Sequence, residues 1–576
     1  MPDLIHSNGR LLLHMLDVDP PVPQAEPWEH GVIWRGVNRL VIALGEAHWY
    51  GQGTLAHQLW PLEKTAQYRT PFITSDNGVT GLLGIQEPFW FTSGGAGVWV
   101  EDDALITSFN APLQGQPPAH SFSNPAPLNE RPQRAEDVPT DHALTIEGEG
   151  LTVRFFTCEN ARAVVEAYWK LINVSVPPPD EFIAKPLWTT WAQFKVDISQ
   201  EIVMRFAREI VRRGFGCGLL GIDARWQRVM GDSHLNPATF PDPQAMADAA
   251  QALGIRLTLW TAPFIEEASE NFRPGAERGY FISDAQGQPF LGPWWGGHAA
   301  FVDPTRTESM GWYLGNFQRD AVGRYGLHGL KIDGGEAMFY AHAGMAIPGG
   351  QALNRLNQHY VRYAARHFPW SDTRSGWRNQ AEPMLFRQWD KASQWGFDNG
   401  LASCITQAMT LNLLGYPYSF PDMIGGNLYG DQVMTAELMS RWTQAVAPMP
   451  IIQFSIAPWD YGDECAALCA RYARLHEELA GRNSALARQR VPIVRPLWWI
   501  APEDEAALSC ADEYLIGDDL LVAPVIQEGA RSRAIYLPPG TWRSYWDHAE
   551  VHQGASWLED YPAPLDVLPL FERVAT

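Results

Sequence analysis

Leu330-Lys-Ile-Asp-Gly-Gly-Glu336 reads as the end of a buried strand running into a turn. Leu330 and Ile332 alternate with Lys331 and Asp333, and strand residues two apart share a face, so the lysine and the aspartate point the same way. A fixed cation beside a carboxylate keeps it ionised, and the two glycines leave bare backbone that a substrate can approach closely. Alone, Asp-Gly-Gly is more often a turn than a catalytic site. Arg387-Gln-Trp-Asp-Lys-Ala-Ser-Gln-Trp-Gly396 supplies a second aspartate, Asp390, at another strand end. Alone, it reads as a salt-bridged surface group.

Working outward, apolar strands alternate with amphipathic helices from residue 181 onward. The strands are expected at Leu187–Phe194, Leu219–Asp223, Arg256–Trp260, Gly329–Asp333, Trp370–Ser375, Phe386–Trp389, Tyr418–Asp422 and Ile451–Ser455. Helices are expected between most of them, at Gln200–Arg213, Trp312–Tyr325, Gln358–His367, Leu401–Leu414 and Thr435–Ala445. Eight strands with helical crossovers are the count of an α/β protein of the (β/α)8 TIM-barrel class, in which functional groups sit at the carboxyl ends of strands. A doubly wound sheet is the alternative, but the chain has no Gly-rich dinucleotide fingerprint.

The flanks differ in texture. Residues 1–180 show short alternating runs broken by Gly, Pro and Asn, an N-terminal β-sandwich in expectation, with a hairpin over Phe89–Val100 and a Pro-rich loop or edge strands over 110–140. Val174-Ser-Val-Pro-Pro-Pro-Asp180 is a linker. The barrel then spans 181–505, and a small C-terminal β-domain spans 506–576.

The composition excludes several partners. A formal charge of −22 over 576 residues argues against nucleic acid and anionic membranes, and no apolar run reaches membrane-spanning length. The N-terminal stretch is a poor secretory signal, and six scattered cysteines with no CxxC pair do not make a disulfide scaffold. The expectation is a cytoplasmic protein, with a homo-oligomer open. Histidines show no metal-ligand spacing, so neither metal nor cofactor is implied. The 25 tryptophans fit stacking on sugar rings, though large cores use them too.

Asp223 in Gly-Ile-Asp-Ala-Arg-Trp and Asp422 in Phe-Pro-Asp-Met-Ile-Gly-Gly-Asn427 also fall where strands should end. Strand ends carry aspartates for capping as well, so each is ambiguous singly. Arg374 and Trp260 complete a set of polar and aromatic groups aimed at one face. Two carboxylates across a sugar-sized cleft are the minimal machinery for cutting a glycosidic bond.

On these motifs the chain resembles glycoside hydrolase family 31, in the branch of the myogenesis-regulating glycosidase and bacterial α-galactosidases. The resemblance runs through Ala47-His-Trp-Tyr-Gly51, Trp60-Pro61, Leu187-Trp-Thr-Thr-Trp-Ala-Gln-Phe-Lys195, the two aspartate motifs, Leu414-Gly-Tyr-Pro-Tyr-Ser-Phe-Pro-Asp-Met-Ile-Gly-Gly-Asn427 and Gly517-Asp-Asp-Leu-Leu-Val-Ala-Pro-Val525. It implies the three-domain architecture above and a retaining, exo-acting α-glycoside hydrolase that needs no cofactor. Asp333 matches the nucleophile and Asp390 the acid/base. Asp223, Lys331, Arg374, Trp260 and Asp422 match the pocket for the non-reducing-end sugar or its support, and Trp191 and Trp295 match more weakly. The branch implies α-galactoside, with an α-glucosidase, another α-glycosidase or a transglycosylase on the same scaffold as the alternative and a non-catalytic sugar-binding protein as the remote one. Family analogy also has the N-terminal domain lend a loop to the cleft, with Glu46–Gly51 as the candidate. One departure bears on the substrate: the branch often has two consecutive aspartates where this chain has Asp223-Ala224.

Overall fold

The computed structural model describes residues 4–7, 10–76, 80–114 and 138–574. Most of the Pro-rich stretch expected as a loop or edge strands (115–137) lies outside them. At the centre is a closed parallel barrel. Its strands are Leu187–Thr189, Leu219–Ile222, Arg256–Thr261, Gly329–Ile332, Asp372–Thr373, Leu385–Arg387, a seventh in two pieces (Ser419–Phe420 and Met423–Ile424), and Gln453–Phe454. The first piece of the seventh strand pairs with Leu385–Arg387 and the second with Gln453–Phe454, so the break falls at Pro421-Asp422, where proline has no N–H for the ladder. That closure excludes the doubly wound sheet.

The crossover helices follow the sequence pattern. Gln200–Arg212 starts at Ser199, whose side chain accepts from the Ile202 amide, and it buries Val203, Phe206, Ala207 and Ile210 along one stripe. Leu401–Leu413 is buried all round because it is held between barrel and N-terminal domain. Gln407 donates to the Leu55 carbonyl at 3.0 Å and Thr406 to the Gln58 carbonyl at 2.9 Å. Several expected bounds move, two of them for clear local reasons. The first strand stops at Thr189, because Thr190 turns to helical backbone and Trp191–Phe194 forms one helical turn. The helix expected at Trp312 starts at Thr307 and widens over Gln318–Val322, a local slip that a 3.6-residue period does not register.

The N-terminal domain supplies ten strands of an eleven-stranded, largely antiparallel sheet folded into sandwich-like layers, and the eleventh comes from the barrel. Gly376–Trp377, just after the fifth barrel strand, pairs in parallel with Leu82–Thr92, Gly376 opposite Ile85 and Trp377 opposite Gln86. Arg378 reinforces this seam by donating to the Val100 and Asp102 carbonyls at 2.6 and 3.0 Å. The two domains share one sheet.

The C-terminal β-domain begins with Val494–Arg495, which pairs with Tyr514–Ile516 from within the span assigned above to the barrel. A two-residue strand has no alternation to betray it. Buried Arg441 ties this domain to the barrel, donating to the carbonyls of Val567, Ala530 and Ala563 at 3.1, 3.2 and 2.7 Å. Among the described residues, no helix is long and apolar enough to cross a membrane.

Candidate active site

Two buried arginines organise the carboxyl end of the barrel. Arg374 follows the fifth strand and Arg387 ends the sixth. Arg374 Nε donates to Glu336 Oε1 at 2.8 Å and lies 2.8 Å from Asp333 Oδ1, and its Nη1 is 3.6 Å from Asp390 Oδ1. Arg387 faces Asp333 Oδ1 with one terminal nitrogen at 3.6 Å and Asp390 Oδ1 with the other at 3.5 Å, while its Nε donates to Asp372 at 3.0 Å. The two aspartates read from sequence therefore share the same pair of cations.

Asp333 follows the fourth strand, and its Oδ2 accepts from Trp260 Nε1 at 2.7 Å. Burial works against its charge, but Arg374, then Arg387 and Lys331, outweigh burial and hold the carboxyl below its ordinary value. The nearest cations are thus the arginines rather than Lys331. Lys331 turns instead to Asp223 and donates to its Oδ2 at 2.6 Å, while Thr189 donates to the same oxygen at 3.2 Å. The glycines after Asp333 also have a different purpose from the one expected. Both lie at positive φ (62° and 75°), and a Cβ on Gly335 would stand 2.3 Å from the Tyr360 ring. They make room for the protein's own core.

Asp390 stands three residues beyond the sixth strand. Tyr429 donates to its Oδ2 at 2.6 Å, and Asn399 holds its backbone carbonyl at 2.6 Å. Lys391, beside it in sequence, points the other way, into a buried nest where Asn399 Oδ1 accepts at 3.1 Å. Burial brings that ammonium down to about 8. Asp422 sits behind the site rather than on its wall, accepting from Asn427 at 2.7 Å and from the Lys391 amide at 3.1 Å.

Among the described residues of the N-terminal domain, Asp76 reaches this cluster. Residues Phe72–Asp76 are fastened to the barrel: Asn354 donates to the Phe72 carbonyl at 2.8 Å, and Thr74 Oγ1 accepts from the Ala337 amide at 2.8 Å. Asp76 pairs with Arg374 and accepts from Trp295 Nε1 at 2.5 Å and from Trp389 Nε1 at 3.0 Å. Burial outweighs Arg374 and pushes its carboxyl up to about 8. The expected loop, Glu46–Gly51, does not contribute. Trp49 and Tyr50 are buried, and His48 is tied to Glu63 and Glu505 at 2.6 and 2.8 Å. Asp76 had no legible signal, since Thr-Ser-Asp-Asn-Gly78 reads as an ordinary turn.

Carboxyls outnumber cations here. Lys331, Arg374 and Arg387 serve Asp76, Asp223, Asp333, Glu336, Asp372, Asp390 and Asp422. Burial raises Glu336, Asp372 and Asp422 above their ordinary values, whereas Asp333 is held below its own.

The cluster opens into a cavity of about 510 Å³, a size suited to one sugar ring plus part of its neighbour. Asp76, Asp223, Lys331, Asp333, Arg374 and Asp390 are among its polar groups. Trp191, Trp260, Trp294, Trp295 and Trp389 form much of its apolar wall, and Arg374 lies 4.9 Å from the Trp295 ring centroid. All the residues singled out from the sequence thus converge, Asp422 from behind. Trp294, Trp389 and Tyr429 join them; Tyr429 stands two residues beyond the Asn427 that ends the most distinctive motif. Among the described residues, Cys510, Asp512 and Glu513 come close enough to hold a metal, but Arg533 already bridges Asp512 and Glu513 at 3.0 and 3.1 Å.

A barrel of this kind, with carboxyl groups paired across a tryptophan-walled pocket at its carboxyl end, defines a glycoside hydrolase. The chain belongs to glycoside hydrolase family 31. The family's TIM-barrel domain matches residues 185–480 and its C-terminal domain residues 490–575, while the N-terminal domain of the myogenesis-regulating glycosidase matches residues 36–171. The mouse myogenesis-regulating glycosidase is 33% identical over 94% of this chain and 77% of its own. The SITS-binding protein of Tetronarce californica is 25% identical over 91% and 74%. A family 31 α-xylosidase from a soil metagenome, solved with xylose, superposes with a TM-score of 0.78 over 99% of this chain and 86% of that one, at 20% identity.

Proposed function

We propose that this protein is a retaining, exo-acting α-galactosidase. The observation that carries the reading is the pairing of Asp333 and Asp390 around Arg374 and Arg387, with Asp333 held ionised. In the first step Asp333 attacks the anomeric carbon and Asp390 protonates the leaving oxygen, giving a covalent glycosyl-aspartate. In the second, Asp390 takes a proton from water, which attacks the same carbon and restores the original anomer. Asp76, Asp223, Lys331 and Trp260 hold the sugar at the closed end of the cavity, and Trp295 and Trp389 offer ring faces to its C–H groups.

The galactoside specificity rests on kinship with the branch. Ala224 favours a second reading on the same scaffold: it lines the cavity where a second carboxylate is common, and its loss can shift the balance toward α-glucoside. Initial rates on para-nitrophenyl α-galactoside and α-glucoside, with Asp333→Asn as control, decide between them. Preference for galactoside that disappears in the variant supports the proposal; preference for glucoside keeps the mechanism and overturns the sugar. Binding of sugar with no turnover of any α-glycoside would instead mark a sugar-binding protein.

A further inference from the structure

The two oxygens of Asp390 have different surroundings. Oδ1 faces the guanidinium nitrogens of Arg374 and Arg387, and Oδ2 accepts from the Tyr429 hydroxyl at 2.6 Å. Trp191 Nε1 lies 2.9 Å from the same tyrosine oxygen. An indole N–H can only donate, so it takes a lone pair of Tyr429 and leaves the hydroxyl hydrogen for Asp390. The chain Trp191 to Tyr429 to Asp390 therefore runs in one direction. Lys195 fixes both rings from below, 5.5 Å from the Trp191 centroid and 5.4 Å from that of Tyr429. The Leu428 amide donates to Ser393 Oγ at 3.1 Å and the Ser393 amide to Gln432 at 2.8 Å, which ties the tyrosine's loop to that of Asp390.

We propose that Tyr429 is a positioning residue for the first chemical step, hydrogen-bonding the carboxylate that Asp390 becomes as its proton passes to the leaving oxygen. The inference rests on the reading of Asp390 as the acid/base. As the bond from the anomeric carbon to the leaving oxygen breaks, its electron pair stays with that oxygen. The oxygen takes the proton of Asp390, and a carboxylate of Asp333 closes on the anomeric carbon. Asp390 gains negative charge during this step, so a donor aimed at it binds the transition state more strongly than the ground state. Tyr429 is a neutral donor at working pH, since a phenol ionises only at about pH 10. In the second step Asp390 starts as the carboxylate, so the same hydrogen bond favours the reactant. Loss of the hydroxyl therefore slows glycosylation and not the hydrolysis of the intermediate. Tyr429 is also 39% exposed and Val196 55%, and both line the cavity, which puts this pair at the mouth where a leaving group departs.

The test is leaving-group dependence. kcat/KM is measured for 2,4-dinitrophenyl, para-nitrophenyl, phenyl and methyl α-galactosides, or the corresponding α-glucosides if those are the substrates, with wild type, Tyr429→Phe, Trp191→Phe and Asp390→Ala. In Tyr429→Phe the methyl glycoside should lose about 10- to 100-fold while the dinitrophenyl glycoside, which needs no proton, changes less than about threefold. Trp191→Phe should show a weaker form of the same slope, and it decides the matter if Tyr429→Phe does not fold. An equal loss on every leaving group, or no loss on any, would overturn the proposal. If Asp390→Ala itself shows no steeper dependence and no rescue by azide, the acid/base reading fails instead, a separate outcome.

Discussion

The Asp76 carboxyl lies against the Arg374 guanidinium although the two residues come from different domains. The pair exists because Gly376–Trp377 extends the N-terminal sheet two residues after Arg374, while Phe72–Asp76 is tied to the barrel from the other side. Asp76→Ala should lower kcat/KM by at least about tenfold, since it opens the wall of the sugar pocket and leaves two indole N–H groups without an acceptor. Steady-state kinetics on the preferred aryl α-glycoside check this.

The same residue gives the fold a pH signature. Its carboxyl is raised to about 8 in the folded chain from an ordinary 3.8, so between those values the folded state holds a proton that the unfolded state has released. Stability contributed by this group is full below the lower value and declines as pH rises toward the upper one. Asp76→Asn imitates the protonated form. Its Tm relative to wild type should rise steadily from pH 5 to pH 8 in thermal melts, and parallel curves would refute the assignment.

Asp333→Asn and Asp390→Ala should each lose at least about a thousandfold in turnover on substrates with poor leaving groups, with unchanged far-UV circular dichroism. Asp333 is held below its ordinary 3.8, and a nucleophile must be ionised, so activity on the acid side should persist until below about pH 4. Its contribution to stability has the opposite sign to that of Asp76: present above its unfolded value and lost as pH falls. Proton NMR of the first product formed should show the α-anomer, and the β-anomer would indicate inversion.

Ala224→Asp places a second carboxylate at the cavity wall next to Asp223. The ratio of kcat/KM for α-galactoside over α-glucoside should rise by about tenfold or more, because a positioned acceptor rewards one orientation of a ring hydroxyl and not the other. Paired kinetics on the two substrates read this directly, and an unchanged ratio would remove Ala224 from the list of selectivity determinants.

Arg441 is buried and serves three carbonyls of the C-terminal domain. Arg441→Met should cost about 2 kcal/mol, since it removes three hydrogen bonds between the domains and takes the donor from the buried Ala563 carbonyl. Denaturant unfolding should show the loss, while KM stays near wild type in the surviving folded fraction.

The barrel and the placement of its two candidate carboxyls were readable because each depends on local pattern. Asp333 and Asp390 follow short apolar strands, and the helices from Gln200 and Ala436 show their period. The resemblance supplied the roles. What local pattern could not supply came from distance along the chain. Asp76 reaches Arg374, 298 positions further along the chain, and the direction of Lys331 toward Asp223 depends on the register between the second, third and fourth strands. The glycines after Asp333 were misread for a related reason: their constraint is the ring of Tyr360, 25 residues beyond Gly335.

The shared sheet at Gly376–Trp377 sets the order in which the molecule becomes competent. A barrel can assemble its strands from nearby crossovers, but the sugar pocket stays unfinished until a domain synthesised earlier docks along Leu82–Thr92 and delivers Asp76. Refolding should therefore pass through a stage that is helical, compact and inert, with activity returning only at the docking rate. An excised barrel would remain at that stage.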